Sequence, residues 1–240
     1  MSSGRIGYLC TYTPGELIEA MGLVPYRFLP PPAREGAVDD LLDSNLCPYV
    51  RQIAGGLKNN CYPELEGIVI ARSCEAALHL YNVFSEQAGC PVFLLDLPRK
   101  RNPASLNYFT RCLEELESWL QSLGGKLDHL LLQDKIEEYR ETARLVDDRR
   151  NRVRGIDLFH LIGEYNGRPR GELNKALQQW IGTGEKVEKQ VEEVLLLTGA
   201  LPQQNLVNIL EEERVIWIAA RAGGDLCGVQ NPRRRKFSRG

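Results

Sequence analysis

Over the first hundred residues, short unbroken apolar runs alternate with longer segments whose apolar positions recur every three or four residues. Ile6-Gly7-Tyr8-Leu9-Cys10 reads as a buried strand. Thr13-Pro14-Gly15-Glu16 has the form of a capping box with proline at the first helical position, and predicts a short helix from Pro14 to Met21 that Gly22 stops. Leu23 to Phe28 is a second extended segment, closed by the Pro30-Pro31-Pro32 loop. Asn45 to Leu57 predicts a helix with Pro48 in its first turn and Gly55-Gly56 at its end. Gly67 to Ala71 is apolar on both faces, the pattern of a parallel strand covered from both sides. A helix follows from Cys74 to Gln87, then a strand from Pro91 to Leu97. This β-α-β-α order predicts an α/β fold: a doubly wound, mostly parallel, Rossmann-like sheet occupying residues 1–104.

From Ser105 the period changes. Leu106, Phe109, Leu113, Leu116, Leu120 and Leu123 follow helical spacing up to Gly124-Gly125, and Asp128 is placed to cap a long second helix running through Ile136, Tyr139, Ala143 and Val146 into Arg154. Ile156 to Tyr165 and Gly171 to Trp180 read as two more helices, so residues 105–185 form a helical insertion. Strand patterns return at Val191 to Leu197 and Val215 to Ala220, with a helix from Gln203 to Glu213 between them. Residues 186–240 therefore read as the start of a second α/β unit, one β-α-β into a sheet that needs more strands to bury its faces.

Composition narrows the picture. Thirty Lys+Arg against 32 Asp+Glu give a net charge of −2, and 43% hydrophobic residues are enough to build a folded core. A near-neutral chain offers no electrostatic case for a nucleic-acid partner or an anionic membrane surface. The one basic cluster is Arg233-Arg234-Arg235-Lys236. No apolar run approaches the roughly 18 residues of a membrane span, and the opening Met-Ser-Ser-Gly-Arg lacks the apolar core of a signal peptide. A cytoplasmic protein is expected.

Seven cysteines, at positions 10, 47, 61, 74, 90, 112 and 227, are an odd number in such a chain, which points to metal ligation rather than a disulfide framework. No C-x-x-C pair occurs, so a zinc ribbon or finger is excluded, and His79, His129 and His160 form no H-E-x-x-H pattern. Gly182-Thr183-Gly184-Glu185-Lys186 lacks the spacing and hydroxyl of a phosphate-binding loop and reads as a turn. Placement on the predicted elements is more informative. Cys10 ends a strand, Cys47 immediately precedes a helix opened by Pro48, and Cys74 lies where a buried strand turns into a helix. Ligands of open α/β sheets bind beyond the carboxyl ends of the strands, and helix N-termini favour the thiolate that binds metal. Cys10, Cys47 and Cys74 are thus the candidate site, while Cys90 and Cys112 read as small buried hydrophobes and Cys61 as a loop residue.

Three stretches carry a resemblance: Gly7-Tyr8-Leu9-Cys10-Thr11-Tyr12-Thr13-Pro14-Gly15-Glu16, Asn45-Leu46-Cys47-Pro48-Tyr49, and Gly67-Ile68-Val69-Ile70-Ala71-Arg72-Ser73-Cys74-Glu75. Together with Phe93 to Arg99, Leu196 to Gly199 and Gly224 to Gly228, they resemble, in order and over nearly the whole chain, the 2-hydroxyacyl-CoA dehydratase family, which includes benzoyl-CoA-type and double-cubane reductases. The resemblance implies a [4Fe-4S] cluster with Cys47 and Cys74 as ligands. It also implies a radical lyase working anaerobically, in which a low-potential electron passes to an acyl-CoA thioester and water is eliminated through a ketyl radical. The implied partners are a related dehydratase subunit, an ATP-dependent activator protein and the acyl-CoA substrate.

The family's third ligand comes from a Cys-Asp-Pro motif beyond the last residue here, so Cys10 or Cys227 is left to take its place. Two thiolates alone hold a cluster weakly. Glu75 stands where the family has aspartate, Ala76-Ala77-Leu78 where lysines are common, and Gln230 where an arginine is usual. The alternatives are a related CoA-ester or double-cubane reductase subunit, or a non-catalytic or truncated subunit completed by a partner chain.

Overall fold

A computed structural model describes residues 4–31, 38–100, 102–149, 155–180, 193–194 and 216–217. Four short strands, β1 (Arg5–Tyr8), β2 (Val24–Arg27), β3 (Gly67–Ala71) and β4 (Val92–Leu95), pair in parallel in the order β2-β1-β3-β4. The connections are helical: α1 (Gly15–Ala20), α2 (Pro48–Lys58) and α3 (Glu75–Gln87), and α4 (Pro103–Ser122) follows β4. The chain moves from β1 outward to β2, then crosses back over β1 to β3. Strand order therefore reverses between β1 and β3, and the carboxyl ends of those two strands flank the crevice where such sheets bind ligands.

Two apolar layers hold the sheet. On one face Ile68 and Ile70 pack with Val50, Ile53 and Ala54 of α2 and Ala77, Leu80 and Phe84 of α3. On the other, Ile6, Val69, Ala71 and Leu95 pack with Leu17 and Ile18 of α1 and Leu116 and Leu120 of α4. β3 is buried at every residue, as its unbroken apolar run requires. Phe28 anchors the first layer, with Tyr62 and Phe84 meeting its ring edge-on at 4.7 and 5.2 Å.

The strands and helices fall where the hydrophobic pattern puts them, with three local departures. Thr13 does not cap α1: Pro14 takes the N-cap position, and the buried Thr13 hydroxyl has no hydrogen-bond partner among the described residues. Gly55 and Gly56 lie inside α2 rather than at its end, because Gly56 is where the Tyr62 ring presses on the helix; a Cβ there would stand 2.4 Å from the phenol oxygen. Leu106 is 66% exposed, so the buried stripe of α4 starts one turn later and includes Cys112. Gly22 does stop α1, at φ +76°, a conformation costly for any residue with a Cβ.

Beyond α4 come α5 (His129–Arg149), α6 (Gly155–Glu164) and α7 (Arg170–Gln179), then a two-stranded parallel sheet of β5 (Glu193–Val194) and β6 (Ile216–Trp217). Asp128 caps α5, its Oδ1 accepting from the amides of Leu130 at 2.9 Å and Leu131 at 3.1 Å. The continuation of α5 to Arg154 and the helix from Gln203 to Glu213 lie outside the described residues. The chain divides into two units, residues 1–139 with 165–173, and residues 140–164 with 174–240. In the first unit, the returning segment seals the outer edge of β2: the Asn166 side chain donates to the Arg27 carbonyl and accepts from the Arg27 amide, both at 2.9 Å. In the second, the buried Thr142 hydroxyl donates to Asn174 Oδ1 at 2.6 Å. No helix among the described residues is long and apolar enough to cross a membrane.

Candidate functional site

Cys74 sits at the reversal point. β3 ends at Ala71, three extended or turning residues follow, and Cys74 is the N-cap of α3 with φ −154° and ψ 169°. Cys47 is the N-cap of α2, with Pro48 immediately after it as the first helical residue. Both thiols are exposed and neither bonds its own helix, since sulfur is a poor acceptor beside the hydroxyls and carboxylates that usually cap. Each is thus a free sulfur at the positive end of a helix of eleven or thirteen residues, on the same face of the same sheet. Cys10 lies two residues past the end of β1, half-buried, its carbonyl accepting from Thr13 N at 2.9 Å.

The other cysteines are elsewhere. Cys61 follows the far end of α2 and Cys90 precedes β4, so both belong to the amino ends of the strands, opposite the crevice. Burial and the nearby Glu66 carboxylate push the Cys90 thiol up, which keeps it protonated. Cys112 is buried in the second apolar layer. Cys227 lies outside the described residues.

At the carboxyl ends of the strands the structure gathers side chains whose part the sequence did not reveal. Arg72 and Asp96, the first residues after β3 and β4, approach to 3.9 Å. Asp96 also accepts from the Leu97 amide at 3.0 Å and from the Tyr108 hydroxyl at 2.6 Å. Hydrogen bonding to Asp96 and to Cys112 raises Tyr108 well above the ordinary phenol range, so it remains a donor. At the β1 side, Tyr49, two residues into α2 from Cys47, donates to the Phe28 carbonyl at 3.0 Å; burial raises it, while the Arg27 guanidinium, to which it is hydrogen-bonded, pulls the other way. Cys10 and Tyr8 lie close enough to act electrostatically on the same phenol, which brings the end of β1 and the start of α2 to one place. The signal for Arg72 and Asp96 was available in principle: each is a charged residue directly following a buried strand.

Residues 10–228 match the family described as 2-hydroxyglutaryl-CoA dehydratase, D-component. The chain belongs to that family. Among curated proteins it is similar to a subunit of the benzoyl-CoA reductase of Thauera aromatica, 26% identical over 227 residues, which cover 86% of this chain and 57% of that protein. The chain thus spans little more than half the length of this relative. The strand-end and helix-cap cysteines all fall within the matched residues, as does the switch-point crevice. Two exposed thiols at helix N-termini have the chemistry of thiolate ligands. Among the described residues, however, no three Cys, His, Asp or Glu side chains come together as a metal-binding group, so these residues by themselves do not complete a cluster site.

Proposed function

We propose that this chain is the iron-sulfur subunit of a 2-hydroxyacyl-CoA dehydratase-type enzyme, in which Cys47 and Cys74 are cluster ligands and Cys10 lies beside them. The observation that carries this reading is the pair of exposed, unbonded N-cap thiols of α2 and α3 at the carboxyl end of a parallel sheet, with Cys74 at its reversal point. When bound, a [4Fe-4S] cluster supplies the low-potential electron that removal of an unactivated hydroxyl beside a thioester requires. The chain's own residues bind and orient: the N-terminal amides of α2 and α3 offset thiolate charge, and Arg72, tethered to Asp96, presents a cation two residues from Cys74. The related dehydratase subunit, the ATP-dependent activator and the acyl-CoA are the partners of this reading, and the compartment is the cytoplasm.

The second reading, a reductase subunit or a non-catalytic subunit completed by another chain, is favoured by one observation: the described residues hold no third ligand with the first two. Counting iron and acid-labile sulfide per chain after anaerobic purification, for the wild type, Cys47→Ala, Cys74→Ala and Cys61→Ala, tests the proposal. Iron lost in the first two variants and kept in the third is the expected result. A folded wild type that carries no iron, alone or with a co-expressed partner subunit, overturns it.

A further inference from the structure

Three buried side-chain atoms have no hydrogen-bond partner among the described residues: Thr13 Oγ1, Glu19 Oε2 and Arg27 Nε. Glu19 still has Lys135 Nζ at 3.2 Å as its ion partner. The other two lack any such compensation, and they lie at one end of the sheet. Arg27 is the last residue of β2, in register with Tyr8 of β1, and Thr13 closes the turn that follows β1 through Cys10. Arg27 is 7% exposed and Thr13 4%.

A guanidinium is always charged, and removing it from water without a carboxylate opposite it is costly on the scale of a domain's net stability. No acid pairs with Arg27 among the described residues. Glu19, the buried carboxylate on the adjacent α1, is already occupied by Lys135, the Tyr139 hydroxyl and the Arg170 amide. Arg27 is instead fixed at its backbone by Asn166, and its guanidinium lies close enough to the Tyr49 phenol to lower that group's pKa against the rise from burial. Uncompensated buried charges concentrate at functional sites.

We propose that the carboxyl ends of β1 and β2 form a binding site for a small carboxylate, with the Arg27 guanidinium as its counter-charge and the Thr13 hydroxyl as a second donor. Tyr49, whose hydroxyl donates to the Phe28 carbonyl and feels the Arg27 guanidinium, borders this place. One buried cation neutralises one carboxylate, and the second carboxylate of a short diacid can stay in water at the other end of the molecule, whereas a pyrophosphate holds all its charge in one compact group, which favours the organic acid over a nucleotide phosphate. This inference goes beyond the cysteine-centred reading and does not depend on it.

The test is thermal unfolding of the full chain with succinate, succinamide, pyrophosphate or sodium chloride at matched ionic strength, for the wild type, Arg27→Met, Arg27→Lys, Tyr49→Phe and Cys47→Ala. Succinate is expected to raise the wild-type Tm by several degrees while succinamide and chloride do not. Arg27→Met is expected to melt no lower than the wild type without ligand and to lose the response. Arg27→Lys should keep part of it, and Tyr49→Phe, which leaves the guanidinium in place, should keep the response. Cys47→Ala should respond like the wild type, so loss of iron binding there leaves this result unchanged. A wild type indifferent to succinate, an Arg27→Met protein that responds as the wild type does, or a larger response to pyrophosphate than to succinate each overturns the proposal.

Discussion

Glu19 is a carboxylate almost without exposure, and every group that stabilises it comes from more than a hundred residues away: Tyr139 Oη donates at 3.1 Å, the Arg170 amide at 2.9 Å, and Lys135 Nζ stands at 3.2 Å. The Arg170 guanidinium in turn lies over the Tyr139 ring, 4.1 Å from its centre. Replacing Glu19 by Ala strands these donors, and a loss of about 3 kcal/mol is expected in urea unfolding. Lys135 makes the same contact legible in pH. Burial alone pulls its pKa down, but the Glu138 and Glu19 carboxylates outweigh that and hold it above the ordinary value. A lysine raised in the folded state stabilises fully below its unfolded pKa of about 10.4 and loses that contribution as pH climbs through the folded value. The stability difference between the wild type and Lys135→Met should therefore be constant from neutral pH to about 10 and shrink above it; a difference independent of pH up to unfolding contradicts this assignment. Such residues explain why part of the site was illegible in the sequence. Cys47 and Cys74 announce themselves locally, one before a proline and one at the end of an apolar run, whereas Arg27 and Glu19 acquire meaning only from partners such as Asn166 and Tyr139 that the fold brings back.

At the scale of elements, caps separate pattern from physics. Thr13 looks like a helix starter in the sequence and does not act as one, whereas Asn102, which the sequence reading passed over, does, its Oδ1 accepting from Ser105 N at 2.8 Å. Thr13 spends its backbone amide on Cys10 and leaves its hydroxyl buried and unpaired. Asn102→Ala is expected to cost about 1 kcal/mol. Thr13→Ala, which removes an unsatisfied buried hydroxyl, is expected to be neutral or stabilising in the ligand-free protein, and chemical denaturation of the two variants side by side checks the contrast. β1 supplies a second case. A Cβ at Gly7 would meet the Phe28 ring at 2.7 Å and Leu65 at 2.8 Å, so Gly7→Ala overpacks the first apolar layer and should lose about 1–3 kcal/mol. The order of strands and helices from β1 to α4 was readable because a doubly wound sheet writes unbroken apolar runs for strands and periodic ones for helices. The ends of α2 were less so, since Gly56 serves the approach of Tyr62 and not a turn.

For the molecule as a whole, the proposed cluster raises the question of where its other ligands would come from. β1 to β4 form a sheet covered on both faces, and that sheet presents two exposed thiols at helix caps. The reductase subunit that the chain matches extends well beyond the 57% of its length that is covered. Cysteine ligation of a four-iron cluster takes four sites, of which a substrate-binding iron can leave one open. Under the proposed reading, Cys47 and Cys74 need a third ligand from Cys10, from Cys227 or from a partner subunit, and the three sources predict different iron counts. If the third ligand is internal, the wild type purified alone holds near-stoichiometric iron, and either Cys10→Ala or Cys227→Ala removes it as completely as Cys74→Ala does. If a partner supplies it, the chain alone binds little iron, co-expression with the related subunit restores it, and neither of those two variants matters while Cys47→Ala and Cys74→Ala still abolish it. The lone N-cap thiols and the lack of a three-ligand group among the described residues favour the second pattern over Cys10 as the source, because Cys10 is present in the described structure and does not close the set. Iron retained by the isolated chain and lost in Cys10→Ala would reverse that preference and require the β1 turn to move toward the two helix caps when the metal binds.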